Sequence, residues 1–181
     1  ERIRVGDRLP FFLYDTPYSA GNRFRDLLDA QAPLVLVFMA NFGHPITRTF
    51  ASRYADTYTS LHDGGFALVV RSRADKLARS IGPDTLPYPL LCDAAGVLYE
   101  HLSIPTSKST LMSIRMTILF SEKLRMARAT VPGTSSMVMM FPNRVAMAIS
   151  TIMTAAWDGV QEAGAGMVLC LKGEDERGQF A

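Results

Sequence analysis

Cysteine is scarce in this chain, which has only Cys92 and Cys170 among 181 residues. The two lie far apart and form neither a CxxC pair nor a spacing typical of metal ligands, so nothing favours a disulfide scaffold or a zinc site. A single bridge between them stays open, but free buried cysteines are expected, because unpaired cysteine is among the most buried residue types. This usage suits a reducing compartment, and we expect a cytoplasmic protein.

An excess of charge and a long apolar run are lacking as well. Nineteen basic residues face 17 acidic ones, and no basic block is present, so nucleic acid is not an expected partner. The longest apolar run, Ala32–Ala40, is too short to span a bilayer, and no secretory signal is visible, so no membrane association is expected. The length of 181 residues fits a single domain, and the 48% hydrophobic content is ample for a core. The charged residues 172–181 are expected to form a mobile tail.

The clearest pattern present is a strand, a helix and a second strand. Pro33–Met39 is apolar on both faces, as in the centre of a sheet that is covered by helices. A helix is predicted to begin near Pro45, and Asp63-Gly64-Gly65 to end it. Its buried face repeats every four residues, at Ile46, Phe50, Tyr54 and Tyr58. With Phe66–Val70 as the next strand, the segment forms a βαβ unit with a right-handed crossover.

Shorter elements are predicted around this unit. Ahead of it we expect a strand at Phe11–Tyr14 and a helix over Asn22–Ala30. After it we expect a helix near Asp75–Ile81, a strand and turn at Tyr88–Asp93, and a helical turn at Val97–Leu102.

The segment Lys108–Ala129 carries two conflicting patterns. Its apolar residues alternate as in a strand from Ile114 to Phe120, whereas a polar stripe from Ser109 to Ser121 has helical spacing. Several charged side chains favour a partly solvated helix, and a helix is our prediction.

Beyond this segment we expect a hairpin, a helix and a strand. The hairpin is formed by Met137–Phe141 and Val145–Ile149, which are joined by a turn at Pro142-Asn143-Arg144. The terminal helix spans Thr154–Ala163, and an added strand spans Met167–Leu171.

The element order and two motifs resemble the peroxiredoxin-like branch of the thioredoxin fold, the alkyl hydroperoxide reductase and thiol-specific antioxidant group. Phe42-Gly43-His44-Pro45-Ile46-Thr47-Arg48 is similar to that group's Phe-Gly-Cys-Pro-x-Cys-Arg, and Tyr88-Pro89-Leu90-Leu91-Cys92-Asp93 is similar to its Pro-Leu-Leu-Ser-Asp element. The resemblance covers about residues 5–163. It implies a three-layer α/β/α thioredoxin-like fold, with a helical insert before the C-terminal hairpin.

The residues that differ are those that carry the group's chemistry. In the family, a cysteine thiolate at a helix N-terminus attacks the peroxide, but here His44 and Thr47 occupy the two cysteine positions. An imidazole does not form a sulfenic acid, and no base is evident that would activate the Thr47 hydroxyl. We therefore expect a redoxin-like protein with little or no thiol peroxidase turnover, which binds a small ligand or a protein in the inherited cleft. The candidate lining residues are Phe42, Gly43, His44, Pro45, Arg48 and Pro132.

Several alternatives stay open at this site. His44 is either an acid/base group or metal ligand, or an exposed histidine at a helix start. Thr47 is expected to cap the first helical turn, and Arg48 either binds an anion or is a solvated surface residue. Cys92 is either a relocated redox thiol or a small buried residue at a strand end. No cofactor and no metal are expected.

The resemblance also implies a possible homodimer, since dimers are common in the group. The apolar segment Met167–Leu171 is the candidate for strand exchange or for pairing at the edge of the sheet. Pro132 precedes the predicted hairpin, where it resembles the proline that is cis beside the site in thioredoxin-like proteins.

Overall fold

A seven-stranded mixed sheet with helices on both faces forms the centre of the computed structural model. The structure describes residues 9, 12–31, 33–59, 61, 64–104, 115–116, 126–128, 137–139, 144–163 and 166–171. The strands are β1 Leu13–Thr16, β2 Ser19–Arg23, β3 Leu34–Phe38, β4 Gly65–Val70, β5 Leu90–Cys92, β6 Arg115–Met116, β7 Met126–Arg128, β8 Met137–Met139 and β9 Met167–Leu171. The helices are α1 Phe24–Gln31, α2 Pro45–Tyr58, α3 Ala74–Ala78, α4 Val97–His101 and α5 Arg144–Ala163.

The predicted βαβ unit is confirmed as β3, α2 and β4. Its two strands run parallel and in register from the Leu34–Gly65 pair to the Phe38–Val69 pair, and every residue of both strands is buried. The helix ends at Tyr58, ahead of the glycines that were expected to end it. Because β5 continues the parallel arrangement beside β4, the carboxyl ends of β3, β4 and β5 lie at one edge of the sheet.

The strand order β2-β1-β5-β4-β3-β9-β6 places the last described strand inside the sheet. β9 runs antiparallel to β3 on one side and parallel to β6 on the other, and all five of its residues are buried. The predicted strand Met167–Leu171 is therefore confirmed, but its predicted place at an exposed edge is wrong. Among the described residues β6 pairs with Met167 and Val168, so at these two positions β9 has a neighbouring strand on each side.

Helices α2 and α5 cover one face of the sheet, and α1 and α4 cover the other. Helix α5 packs directly on α2, where the buried Tyr54 hydroxyl donates to the Ala156 carbonyl oxygen at 3.2 Å. The hydroxyl reaches α5 because position 159 is glycine, and a Cβ at Gly159 would overlap the Tyr54 hydroxyl. On the opposite face Phe24 and Tyr99 are buried in a separate cluster.

Two predictions for the C-terminal half are wrong where the structure describes it. The helix predicted over Lys108–Ala129, which is the helical insert of the predicted fold, contains the short strands β6 and β7. Strand pairing overrides the polar stripe, since β6 pairs with β9 and β7 pairs with β8. The strand predicted at Val145–Ile149 belongs to the twenty-residue helix α5, which extends the confirmed helix over Thr154–Ala163. The hairpin predicted through that strand is therefore also wrong.

At the N-terminal end the strand β1 begins two residues later than predicted, and it pairs with a strand that the sequence did not indicate. That strand, β2, has an exposed polar sequence, and it displaces the start of the predicted helix from Asn22 to Phe24. Within the described residues, no helix is long and apolar enough to cross a bilayer. The predicted tail over residues 172–181 lies outside the described residues.

Candidate functional site

The candidate site is the turn between β3 and α2, which we call the 41–48 loop after its residues. Its central residue is His44, which has extended backbone angles (φ −71°, ψ 132°) and forms the N-cap of α2. The exposed imidazole accepts a hydrogen bond from the Ile46 N–H through Nδ1, at 3.3 Å. Pro45 follows at the first helical position, where its missing N–H costs no hydrogen bond. The imidazole thus performs the task that Ser, Thr, Asp or Asn usually performs at a helix start.

A buried serine fixes the backbone of this loop to the neighbouring strand. The Ser72 hydroxyl, just after β4, accepts from the Phe42 N–H at 2.9 Å and donates to the Asn41 amide oxygen at 3.2 Å. The same Asn41 oxygen accepts from the Gly43 N–H at 2.7 Å, and the Asn41 carbonyl accepts from the His44 N–H at 3.1 Å. The Phe42 ring is buried as well, so residues 41–43 are held both by hydrogen bonds and by packing of this ring.

His44 and Thr47, which occupy the two cysteine positions of the resembled motif, have opposite exposure. His44 is exposed, whereas Thr47 is only 1% exposed and lies under the first turn of α2. The N-cap hydrogen bond of α2 is made by the His44 imidazole, and a local capping role of the Thr47 hydroxyl stays a prediction. Arg48 is exposed on the same turn, and its N–H donates to the His44 carbonyl at 3.2 Å. Only the first of the two positions can meet a substrate from solvent.

On the other face of the sheet a buried tyrosine joins the ends of β3 and β4. The Tyr99 hydroxyl lies within hydrogen-bond reach of the carbonyl oxygens of Met39 and Val69, the latter at 2.9 Å. Burial raises the pKa of Tyr99 well above its usual value, so the hydroxyl stays protonated and can donate.

The sequence does not indicate that Ser72 fixes the 41–48 loop. It does carry a turn signal for Asn41, since the spacing Asn-x-Gly in Asn41-Phe42-Gly43 is typical of turns.

Cys92 lies at the carboxyl end of β5, opposite Val70 on one side and Asp15 on the other. Burial, with a further contribution from the Asp15 carboxylate, raises the pKa of the Cys92 thiol to about 11. Cys170 is fully buried in β9, and burial raises the pKa of its thiol to about 12. Strands β5 and β9 are three strand spacings apart, or about 14 Å, whereas a disulfide needs Cα atoms within about 7 Å. Both thiols are free, as predicted.

Two surface cavities lie beside strands β1 and β2 and have no lining residue from the 41–48 loop. One, of about 320 Å³, is bordered by Phe12, Leu13 and Arg23. The other, of about 220 Å³, lies between Tyr18 and the segment from Ile81 to Leu90. Neither has a described lining residue from the 41–48 loop, so the cavities do not extend the candidate site.

Outside the 41–48 loop, neither another histidine nor Pro132 joins His44 in the described part of the chain. No group of three metal-ligating side chains is found among the described residues, and His101 lies exposed on α4. His62 and Pro132 lie outside the described residues. The candidate site therefore consists of a rigid, solvent-facing loop with an imidazole at the helix start.

Comparison with known proteins establishes the fold. No family model matches the sequence, and no curated protein matches it. Among solved structures, the chain is similar to the peroxidoxin BcpB of Mycobacterium tuberculosis, with a TM-score of 0.51 and 20% identity over 59% of this chain and 70% of that one. The bacterioferritin comigratory protein of Xanthomonas campestris gives a TM-score of 0.46 and 11% identity, over 82% of this chain and 92% of that one. The first of these similarities confirms the predicted α/β thioredoxin-like fold, of the kind found in peroxiredoxins.

Proposed function

We propose that this protein uses a redoxin fold for binding, without thiol peroxidase turnover, and that the 41–48 loop is its binding surface. The observation that carries the proposal is the imidazole of His44 at the helix N-cap, where a thiolate would have to stand for peroxide chemistry. Peroxide reduction by a thiol needs a sulfur that accepts an oxygen atom and becomes a sulfenic acid. An imidazole offers no such sulfur.

The two thiols of the chain do not take over this role. A reactive cysteine is one whose pKa is lowered by a cation, a metal or a helix N-terminus, whereas the pKa values of Cys92 and Cys170 are raised by burial. A second thiol that could resolve an oxidised Cys92 is also absent, because Cys170 lies three strands away inside the sheet. These features support a binding role over an oxidoreductase that uses Cys92.

The shape of the 41–48 loop supports a binding role in a second way. Gly43, His44, Pro45 and Arg48 are exposed, while the backbone beneath them is fixed by Ser72. A loop that is ordered before binding loses little conformational entropy when a ligand arrives. The exposed set combines an imidazole, a proline ring and a guanidinium, which suits a polar ligand or a protein segment rather than an apolar one.

The first experiment measures consumption of hydrogen peroxide and of cumene hydroperoxide with dithiothreitol as reductant. We expect the wild-type protein to give the same rate as buffer containing the reductant, and the Cys92→Ser variant to give that same rate. Turnover by the wild type that is lost in Cys92→Ser would refute the proposal and establish the oxidoreductase alternative.

The second experiment tests binding at the loop directly. A library of random heptapeptides displayed on phage is selected on the wild-type protein, and the enriched peptides are measured against His44→Ala and against Arg79→Ala, which alters an exposed arginine beyond α3. We expect weaker binding to His44→Ala only. Peptides that bind both variants as well as the wild type, or a selection without enrichment, would contradict the assignment of the loop as the binding surface.

A further inference from the structure

We propose that Arg71 is an anchor for a carboxylate group at the edge of the sheet where β3, β4 and β5 end. This inference deepens the proposed function, on which it rests, by naming the chemical class of the ligand. Arg71 directly follows β4, and its N–H donates to the Ala40 carbonyl at 3.1 Å. The next residue, Ser72, holds the 41–48 loop, so a ligand on Arg71 would lie at the same edge as that loop.

The guanidinium of Arg71 is held in place before any ligand arrives. Its central carbon lies 5.7 Å from the centre of the Tyr99 ring, within the range of a cation–π contact. The guanidinium also lies close to Gly96, where an added Cβ would stand 2.7 Å from one of its nitrogens. Gly96 has φ +73°, a backbone conformation that favours glycine over residues with a side chain. Because glycine has no side chain, room remains there for the Arg71 guanidinium. Tyr99 is itself fixed by its hydrogen bonds to the ends of β3 and β4.

The positive charge of Arg71 lacks an ion-pair partner among the residues that the structure describes. Asp93, whose N–H donates to the carbonyl of Val70 at 2.9 Å, uses both of its carboxylate oxygens on the start of α4. One accepts from the Val97 N–H at 3.0 Å, and the other accepts from the Leu98 N–H at 2.9 Å. By contrast Arg73, two residues along, has a bidentate partner in Asp75 at 2.9 Å. Within the described part of the chain, Arg71 is therefore both positioned and without an ion-pair partner.

A carboxylate matches this arrangement better than a phosphate does. A guanidinium presents two parallel N–H groups to the two oxygens of a carboxylate, and the pair balances one charge with one. A phosphate dianion is usually held by several cations or by a nest of backbone N–H groups, and a single arginine supplies neither. The ligand class that the observations favour is therefore a small organic acid or the carboxylate of a peptide.

The test is an NMR titration of the folded protein, in which the Arg71 Nε–Hε resonance is followed as sodium acetate is added at constant ionic strength. We expect a saturable shift of this resonance that neither sodium chloride nor sodium phosphate reproduces. In Arg71→Lys, which lacks this resonance and is followed by the shifts of nearby backbone amides, the affinity should fall about fivefold, because a point charge replaces the planar fork. A shift that does not saturate, or one that chloride or phosphate produces equally, would overturn the proposal.

Two further variants locate the site. Arg71→Gln should abolish the saturable shifts of nearby backbone amides, whereas Arg79→Gln, which removes an exposed arginine beyond α3, should leave them unchanged. Loss of binding in Arg48→Gln with retention in Arg71→Gln would move the anion to the start of α2 and refute the Arg71 site. A titration with N-acetylglycine and with its amide then distinguishes carboxylate recognition from recognition of the peptide backbone, and equal binding of both would contradict the proposal.

This outcome is separate from that of the proposed function. Peroxide turnover would refute the binding role whatever Arg71 does, whereas a failed acetate titration with no peroxide turnover would remove only the carboxylate anchor.

Discussion

The Cys92 thiol should be almost unreactive toward alkylation, and this prediction decides between a binding protein and a relocated redox site. With a pKa of about 11, roughly one Cys92 in 4,000 is ionised near pH 7.4, whereas about 7% of a free cysteine of pKa about 8.5 is ionised. Because only the thiolate reacts, we expect Cys92 to be alkylated roughly 300-fold more slowly than a free cysteine. The partial burial of its side chain slows the reaction further.

The assay uses iodoacetamide, with each cysteine quantified by peptide mass spectrometry. The same chain in urea gives the free-thiol rate, and Cys170 in the same sample serves as the fully buried comparison. The rate at Cys92 should rise about tenfold per pH unit between roughly pH 7.5 and pH 10, because the thiolate fraction does so below the pKa. Asp15→Asn should increase the rate, since the Asp15 carboxylate contributes to the raised pKa of Cys92. Substitution of the exposed Asp84 by Asn should not, since Asp84 does not contribute to that pKa.

Two results would refute this reasoning. Alkylation of Cys92 within tenfold of the rate in urea would mean that its surroundings do not suppress the thiolate, and the oxidoreductase alternative would regain its basis. Equal rates at Cys92 and Cys170 would mean that both thiols react only when the sheet unfolds, which would contradict a rate set by the surroundings of Cys92.

The remaining predictions concern the loop and the helix pair. His44→Cys should create a thiol that is alkylated at least about a thousandfold faster than Cys92, because a helix N-terminus lowers the pKa of a cysteine. The matched variant Thr47→Cys should stay inert in the same assay, because position 47 is buried. Ser72→Ala should lower the free energy of unfolding in urea by about 1–3 kcal/mol, because it leaves the buried Phe42 N–H without an acceptor, and an unchanged midpoint would contradict this. Gly159→Ala should destabilise by about 1–3 kcal/mol through overlap with Tyr54. In a Tyr54→Phe background that cost should be smaller, and additive effects of the two substitutions would exclude the contact.

The parts of the fold that were predicted correctly are those in which one local pattern decides the structure. The run from Leu34 to Phe38 is apolar on both faces, and the helix that follows repeats its buried residues every four positions, so the βαβ unit follows from the sequence alone. The segment Val145–Ile149 was mistaken for a strand because a short apolar run has no distinct period. It forms a helix as part of the continuous α5, which packs on α2, a contact between residues about a hundred positions apart.

The candidate site was only partly predictable for the same reason. The position of His44 at a helix start follows from the strand before it and Pro45 after it. The hydrogen bond from Phe42 to Ser72 does not follow from the local sequence. It depends on the register of β3 against β4, which brings the end of β4 beside residue 42, and that register is set by the whole sheet. The stripe of polar residues from Ser109 to Ser121 favoured a helix locally, whereas strand β6 forms through its pairing with β9, some fifty residues further on.

The interior position of β9 has a consequence for the order in which the protein can fold. During synthesis β3, α2 and β4 leave the ribosome early, but the side of β3 that β9 covers has no partner until Met167–Leu171 has been made. Until then the chain carries a fully apolar strand with an open edge, which is the kind of surface on which nascent chains associate. Pairing over such a long sequence separation is also slow. The nascent protein should therefore depend on chaperone protection until its last described strand is inserted.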